Sequence, residues 1–268
     1  PPVIPNDPNV YPGSHILANP YTASIPIALI DFFGMEESVA FYNTGSYTDW
    51  LTNNSQTYNN LPGQYLNVPK FQAGQPGLPA AIPSMQGFLV KADPPQGRIF
   101  IPYVPVPNIE PLRAKKDIQP MVSTIIDIRG ENLSDRMWLF TNTSCTKDFD
   151  NGWDSRKMMG SNSAPQLYFV ENDNKFQVST VDDINGSFIG FRKGVDSEYT
   201  MTFTHNNTEL AYPNGIYLMD LVANKTVNVT ENGSTYTFTA IGSSLAKAAK
   251  APTAPEVVRF KIVTSPGI

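Results

Sequence analysis

The sequence predicts an all-β protein, an antiparallel β-sandwich of immunoglobulin-like or jelly-roll-like type, with enough chain for two packed β units. Three observations predict it. First, ten β-rich runs crowd the second half of the chain: STIIDIRG, RMWLFTNT, PQLYFVE, KFQVSTV, SFIGFRKG, YTMTFTH, GIYLMDLV, KTVNVT, STYTFTA and VVRFKIV. They recur at the roughly 8–12 residue spacing of a sandwich. Second, Tyr199, Met201 and Phe203 alternate with Thr200, Thr202 and Thr204, the period of a strand with one buried and one wet face. Third, only 16% of the 268 residues are charged, against 41% apolar. The balance is Asn, Thr, Ser, Gly and Pro, the residues of turns and of solvent-facing strand positions.

Taken in order, residues 1–15 open with Pro1, Pro2, Pro5, Pro8 and Pro12, and proline fixes φ and removes donors, so an extended linker is expected. A loop-dominated, β-rich N-terminal unit follows over 16–118. In it the run SIPIALIDFF, Ser24 to Phe33, reads as a buried strand or one short helix, which periodicity does not separate. Residues 43–87 carry turn residues at short intervals and read as loops. Alternation returns at QGFLVKA, Gln86 to Ala92, and from Arg98 to Val106. The polar, basic piece Asn108 to Gln119 links this unit to a C-terminal antiparallel sandwich over 119–268. There, Glu231-Asn232-Gly233-Ser234 stands between Val227/Val229 and Tyr236/Phe238, and Asn-Gly between alternating runs predicts a hairpin. The Ala/Lys-rich run Ser243 to Lys250 is confined by Pro252 and Pro255.

Composition excludes several function classes. A net charge of -5 gives no basic face for phosphates, and Arg113, Lys115 and Lys116 are too few to supply one, so no nucleic-acid partner is expected. The single Cys145 forms no intramolecular disulfide. No run approaches the roughly 18–20 apolar residues of a membrane-spanning helix, so no membrane insertion is expected. The proline-rich start reads as the interior or processed edge of a longer polypeptide.

Catalytic constellations are sparse. His15 and His205 are the only histidines, and neither sits in a nucleophile motif; His205, at the end of YTMTFTH, reads as an exposed strand-end residue. Cys145, in NTSCTKD, has no neighbouring His and reads as a structural thiol. Asp148, Asp150 and Asp154 flank an Asn-Gly in DFDNGWD. Calcium (Ca2+) takes several oxygen ligands on a flexible loop, which makes this the candidate metal site. Against it, the glycine falls where an EF-hand needs a ligand and no Glu follows at the twelfth position, so a polar inter-strand turn explains the same letters. Tyr42, Tyr47, Trp50 and Tyr58 lie among Asn, Thr and Gly in loops. Aromatics there need a reason beyond core packing, and a ligand surface that stacks sugars supplies one.

Several stretches also resemble a known group. LANPYTASI at 17, IPSMQGFLVKA at 82, DRMWLFTN at 135, FDNGWDSRKM at 149, GIYLMDL at 215 and the closing STYTFTA and VVRFKIV are similar to the C-terminal β-sandwich region of large surface and secreted, adhesin-like proteins of Bacteroidetes-type bacteria. The chain departs from that pattern at Ala18, where glycine is usual before Asn-Pro, and at Ser84-Met85, where Pro-Gly is common. The resemblance implies a non-catalytic adhesion or structural module of a larger exported protein, extracellular or exposed at the outer-membrane surface. Its implied partners are a host or bacterial surface protein or glycan and the rest of its own polypeptide, without a cofactor. It also recasts Asp148–Asp154 as a structural turn. The alternatives are a carbohydrate-binding module using the loop aromatics, and a glycosidase-like enzyme with two carboxylates facing across a cleft.

Overall fold

The computed structural model describes residues 13–43, 64–92, 97–101, 121–131, 133–160, 162–172, 174–240 and 257–265. The chain is all-β, and its described residues fall into two compact units. The first draws on Pro1–Phe41, Leu66–Pro120 and Asn151–Ser155, the second on Tyr42–Tyr65, Met121–Asp150 and Arg156–Ile268.

The N-terminal half supplies β1 (Ser14–Ala18), β2 (Ile25–Pro26), β3 (Asp31–Phe33), β4 (Ser38–Asn43), β5 (Gln64–Pro69), β6 (Ala81–Ile82), β7 (Gly87–Lys91) and β8 (Arg98–Phe100). Strands β1, β7, β4 and β5 form one sheet in that order, while β2 pairs β6 and β3 pairs β8. The apolar run Ser24 to Phe33 is neither one strand nor one helix. It breaks into β2, a 3-10 turn at Ile27–Leu29 and β3, and Ile27 and Ile30 are fully buried. The stretch expected as loops holds β5, which buries Asn67, Val68 and Pro69. An Asn on its inward side hid the strand from a hydrophobic pattern. Strand β7 keeps the expected alternation, with Phe88 and Val90 inward.

The C-terminal half supplies β9 (Ser123–Arg129), β10 (Ser134–Thr141), β11 (Ser155–Arg156), β12 (Gln166–Glu171), β13 (Asn174–Val181), β14 (Phe188–Arg192), β15 (Glu198–Asn206), a short helix α1 (Thr208–Ala211), β16 (Tyr217–Asp220), β17 (Lys225–Asn228), β18 (Thr235–Thr239) and β19 (Val257–Val263). Each of the ten β-rich runs overlaps one of these strands. They pair in the order β17-β16-β19-β14-β12-β13-β10-β9-β15-β18, with β11 beside β13. Along that ten-strand order pairing is antiparallel except between β10 and β13, whose register runs Trp138↔Val178 to Thr141↔Val181. A parallel pair needs a long crossover, and residues 142–173 provide it.

The two ends of this strand order share one core. Phe238 on β18 packs edge-on against Phe191 on β14 and Phe260 on β19, with ring centroids 5.2 Å and 5.0 Å away. Around them lie Ile126, Met137, Phe169, Phe176, Met201 and Phe203, all almost fully buried. Burying aromatics of this size contributes roughly 1.5–3 kcal/mol each.

The Asn-Gly signal places a turn correctly and its strands wrongly. Gly233 has φ +84°, and the Ser234 N–H donates to the Glu231 carbonyl at 3.0 Å. Yet β17 pairs β16 and β18 pairs β15, at opposite ends of the sheet, so no hairpin ladder forms. The reason is local. The Thr230 N–H donates to the Asn228 side chain at 2.9 Å, and the Thr230 hydroxyl accepts the Ile216 N–H at 2.8 Å, ending β17 before the turn. Asn232 Oδ1 then accepts the His205 N–H at 3.1 Å, tying the turn to β15.

Candidate functional site

Of the four loop aromatics, Tyr47, Trp50 and Tyr58 lie outside the described residues. Tyr42, near the end of β4, is 53% exposed. Its ring centroid is 5.0 Å from that of Tyr65 on β5, with planes 58° apart. Burial, with the Tyr42 hydroxyl second, raises the Tyr65 phenol above its ordinary value. The pair is tilted, so it offers an edge and a face rather than one flat platform.

The three aspartates of DFDNGWD have separate surroundings. Asp150 accepts the Thr146 N–H at 2.6 Å and its hydroxyl at 3.1 Å. Asp148 accepts the Asn172 side-chain amide. Asp154 is buried, in the first unit. Among the described residues, no group of three or more His, Cys, Asp or Glu side chains stands where it would hold a metal ion. Glu171 lies near Asp148, and burial followed by that carboxylate raises its pKa while Lys147 lowers it.

The centre of the same motif anchors the first unit. Asn151 Oδ1 accepts the Glu37 N–H at 2.7 Å, its Nδ2 donates to the Met35 carbonyl at 3.1 Å, and the Gly152 carbonyl accepts the Phe71 N–H at 2.9 Å. Trp153 packs on Phe71 with centroids 4.9 Å apart. Gly152 has φ +84°, and a Cβ there would sit 2.7 Å from the Phe71 ring, so only glycine fits without strain.

Asn19, in LANPY, is fully buried. Its Nδ2 lies 2.9, 3.1 and 3.0 Å from the carbonyls of Ala23, Ile82 and Pro83, and its Oδ1 accepts the Tyr21 N–H at 3.0 Å. The Ser84 hydroxyl donates to the Tyr21 carbonyl at 2.6 Å. Two of the stretches that carry the family resemblance, LANPY and IPSMQG, are therefore halves of one hydrogen-bonded knot.

His205 is not the exposed strand-end residue expected from sequence: it is buried on the core face of β15. Its Nε2 is 2.7 Å from the Val229 carbonyl and its Nδ1 is 3.0 Å from the Thr124 hydroxyl. A carbonyl only accepts, so Nε2 carries the proton and Nδ1 accepts from Thr124. Burial pulls the imidazole pKa down, opposed by the Val229 bond and by Glu209. The alternation Tyr199, Met201, Phe203 extended by two residues identifies His205 as inward. Cys145 is buried, as a structural thiol would be, and His15 sits in β1 opposite Val90.

Sequence reading missed a buried charged cluster formed by Asp220 on β16, Arg259 on β19 and Tyr236 on β18. Asp220 Oδ2 accepts Arg259 Nη2 at 2.8 Å and the Tyr236 hydroxyl at 2.9 Å. Its Oδ1 accepts the N–H groups of Val222 and Ala223 at 2.9 and 3.0 Å. Burial alone would raise the Asp220 carboxyl; the Arg259, Ala223 and Tyr236 bonds outweigh it and hold the group below its usual range. Burial and then Asp220 push the Tyr236 phenol up to about 12. The Arg259 guanidinium also lies 4.2 Å from the Phe238 ring centroid, a cation–π contact.

No helix among the described residues is long and apolar enough to cross a membrane. No family model matches the sequence, and no solved structure matches it. Over 247 aligned residues the chain is 33% identical to the minor fimbrium subunit Mfa5 of Porphyromonas gingivalis, an alignment covering 86% of this chain and 20% of that protein. The chain thus spans about a fifth of the length of the curated relative it matches.

Proposed function

We propose that this chain is a non-catalytic, surface-exposed structural module that works by packing against other polypeptides of a fimbria-like assembly and by adhesion. The similarity to a minor fimbrium subunit over 86% of the chain carries the reading. The chemistry agrees with it. His205, Cys145 and Asp220 are all buried, with both nitrogens of His205 taken up by Val229 and Thr124. Antibody to the chain should label intact producing cells, and the chain should fractionate with large filamentous material sheared from them. Labelling only after lysis, or a monomer in every fraction, would overturn the reading.

A glycan-binding role is the second reading, favoured by the exposed Tyr42 ring. With Tyr47, Trp50 and Tyr58 it would supply stacking faces for sugar rings. A glycan array, run with calcium and with chelator, tests it: saturable binding lost in Trp50→Ala supports the role, and binding unchanged by that substitution removes these aromatics from it. A calcium requirement abolished by Asp148→Asn would assign the metal to the acidic turn.

A further inference from the structure

Elements of the second unit converge on one buried ion pair. Asp135 is the second residue of β10 and points inward. Lys157 follows β11, fixed by its own N–H, which donates to the Lys175 carbonyl of β13 at 2.7 Å. Both side chains are 1% exposed, and Lys157 Nζ lies 2.6 Å from each oxygen of Asp135. From β12, the Leu167 N–H donates to Asp135 Oδ2 at 2.7 Å. A second cation, Arg192 on β14, is buried close enough for its charge to act on Lys157, and its guanidinium donates to the Gly160 carbonyl at 3.1 Å.

Lys157 and Asp135 lie out of water, where charges are poorly solvated and the pair is costly to keep ionised. Burial pulls the Lys157 ammonium pKa down, Asp135 opposes this, and Arg192 adds to the pull. Transfer of one proton from Nζ to the carboxylate leaves a neutral amine touching a neutral carboxylic acid, the two reactants of amide formation.

We propose that Lys157 and Asp135 become joined by an intramolecular isopeptide bond, formed by the folded chain without another protein. The Nζ lone pair attacks Asp135 Cγ, and negative charge collects on Oδ2. The Leu167 N–H already points at that oxygen, as a backbone donor does in an oxyanion hole, and the Arg192 charge lies nearby. Oδ1 then leaves as water, taking the acid proton and one amine proton; the other amine proton stays as the amide N–H. Amine plus acid gives amide plus water, so atoms balance and no oxidant is needed. Exclusion of bulk water favours the product and protects it from hydrolysis. The bond closes a loop between β10 and the segment beyond β11, removes two buried charges, and leaves the new carbonyl still accepting from Leu167.

The intact mass of the purified full chain, measured after denaturation, tests the proposal directly. The expected mass is one water, about 18 Da, below that of the sequence. A protease digest should yield a branched peptide containing residues 135 and 157, and Lys157→Arg should restore the full mass. A wild-type mass equal to the sequence sum, or a lost water traced to any other residue, overturns it. Since the deciding measurement is on the wild-type chain, a variant that fails to fold does not blunt it.

Discussion

Met85 holds a left-handed backbone at φ +60°, while its side chain is 77% exposed and contributes little packing. The backbone is fixed there because the Met85 N–H donates to the Asn19 carbonyl at 3.1 Å. A non-glycine residue in this region carries about 1–2 kcal/mol of strain, partly offset by the greater entropy a glycine loses on folding. Met85→Gly should therefore raise unfolding stability by about 0.5–1 kcal/mol, and Met85→Val should lower it; a denaturant titration giving the reverse order would refute the strain argument. His205 yields a second residue-scale prediction. Its folded-state pKa lies below the ordinary 6.5, so the unfolded chain binds the proton more readily. The stability that neutral His205 contributes is whole above that value and is lost as pH falls below it through the folded-state pKa. Thermal midpoints should drop as pH falls below the ordinary 6.5, and His205→Gln should flatten that drop while starting from a lower midpoint. Equal slopes in the two proteins would remove His205 as the cause. Both residues also mark what sequence conveys at this scale. The letters around Asn19 and Met85 were legible as a pattern, but the knot they tie spans residues 19 to 86 and no local rule links its halves. His205 was misread because a histidine is polar, although strand periodicity already pointed it inward.

At the scale of elements, strand existence followed from sequence because the ten C-terminal runs combine β-branched and aromatic residues with period-two burial. Choice of partner did not follow. The hairpin expected at Asn232-Gly233 fails because Thr230 and Asn228 end β17 early and Asn232 bonds to β15 instead. The cluster of Asp220, Arg259 and Tyr236 was invisible for the same reason: its members come from β16, β19 and β18, and only the sheet brings the far end of the strand order to the near one. Asp220→Asn removes the charge that Arg259 faces inside the core and should cost about 3–5 kcal/mol. The double variant Asp220→Asn/Arg259→Met should recover part of that loss, because the guanidinium is then no longer buried without its carboxylate. A double variant as unstable as the sum of the singles would mean that the residues act separately.

For the molecule as a whole, the strand order makes β19 decisive. It is the last described strand in sequence, yet it lies inside the sheet between β16 and β14. It pairs with β16 over Tyr217↔Val263 to Asp220↔Phe260 and with β14 through a register shift at Ile189/Gly190. It also places Phe260 and Ile262 in the core and Arg259 against Asp220. A chain ending at Ala240 would leave two ladders open and two apolar side chains missing, at about 2–5 kcal/mol for each apolar group lost, and would bury Asp220 without its cation. That sum reaches the whole stability of a typical domain, about 5–15 kcal/mol. The second unit of the truncated chain should therefore lack cooperative thermal unfolding, although every strand from β9 to β18 is still encoded. Circular dichroism and amide exchange check this: a sharp transition with protected amides in β9, β10 and β15 would mean that these strands fold without the closing one.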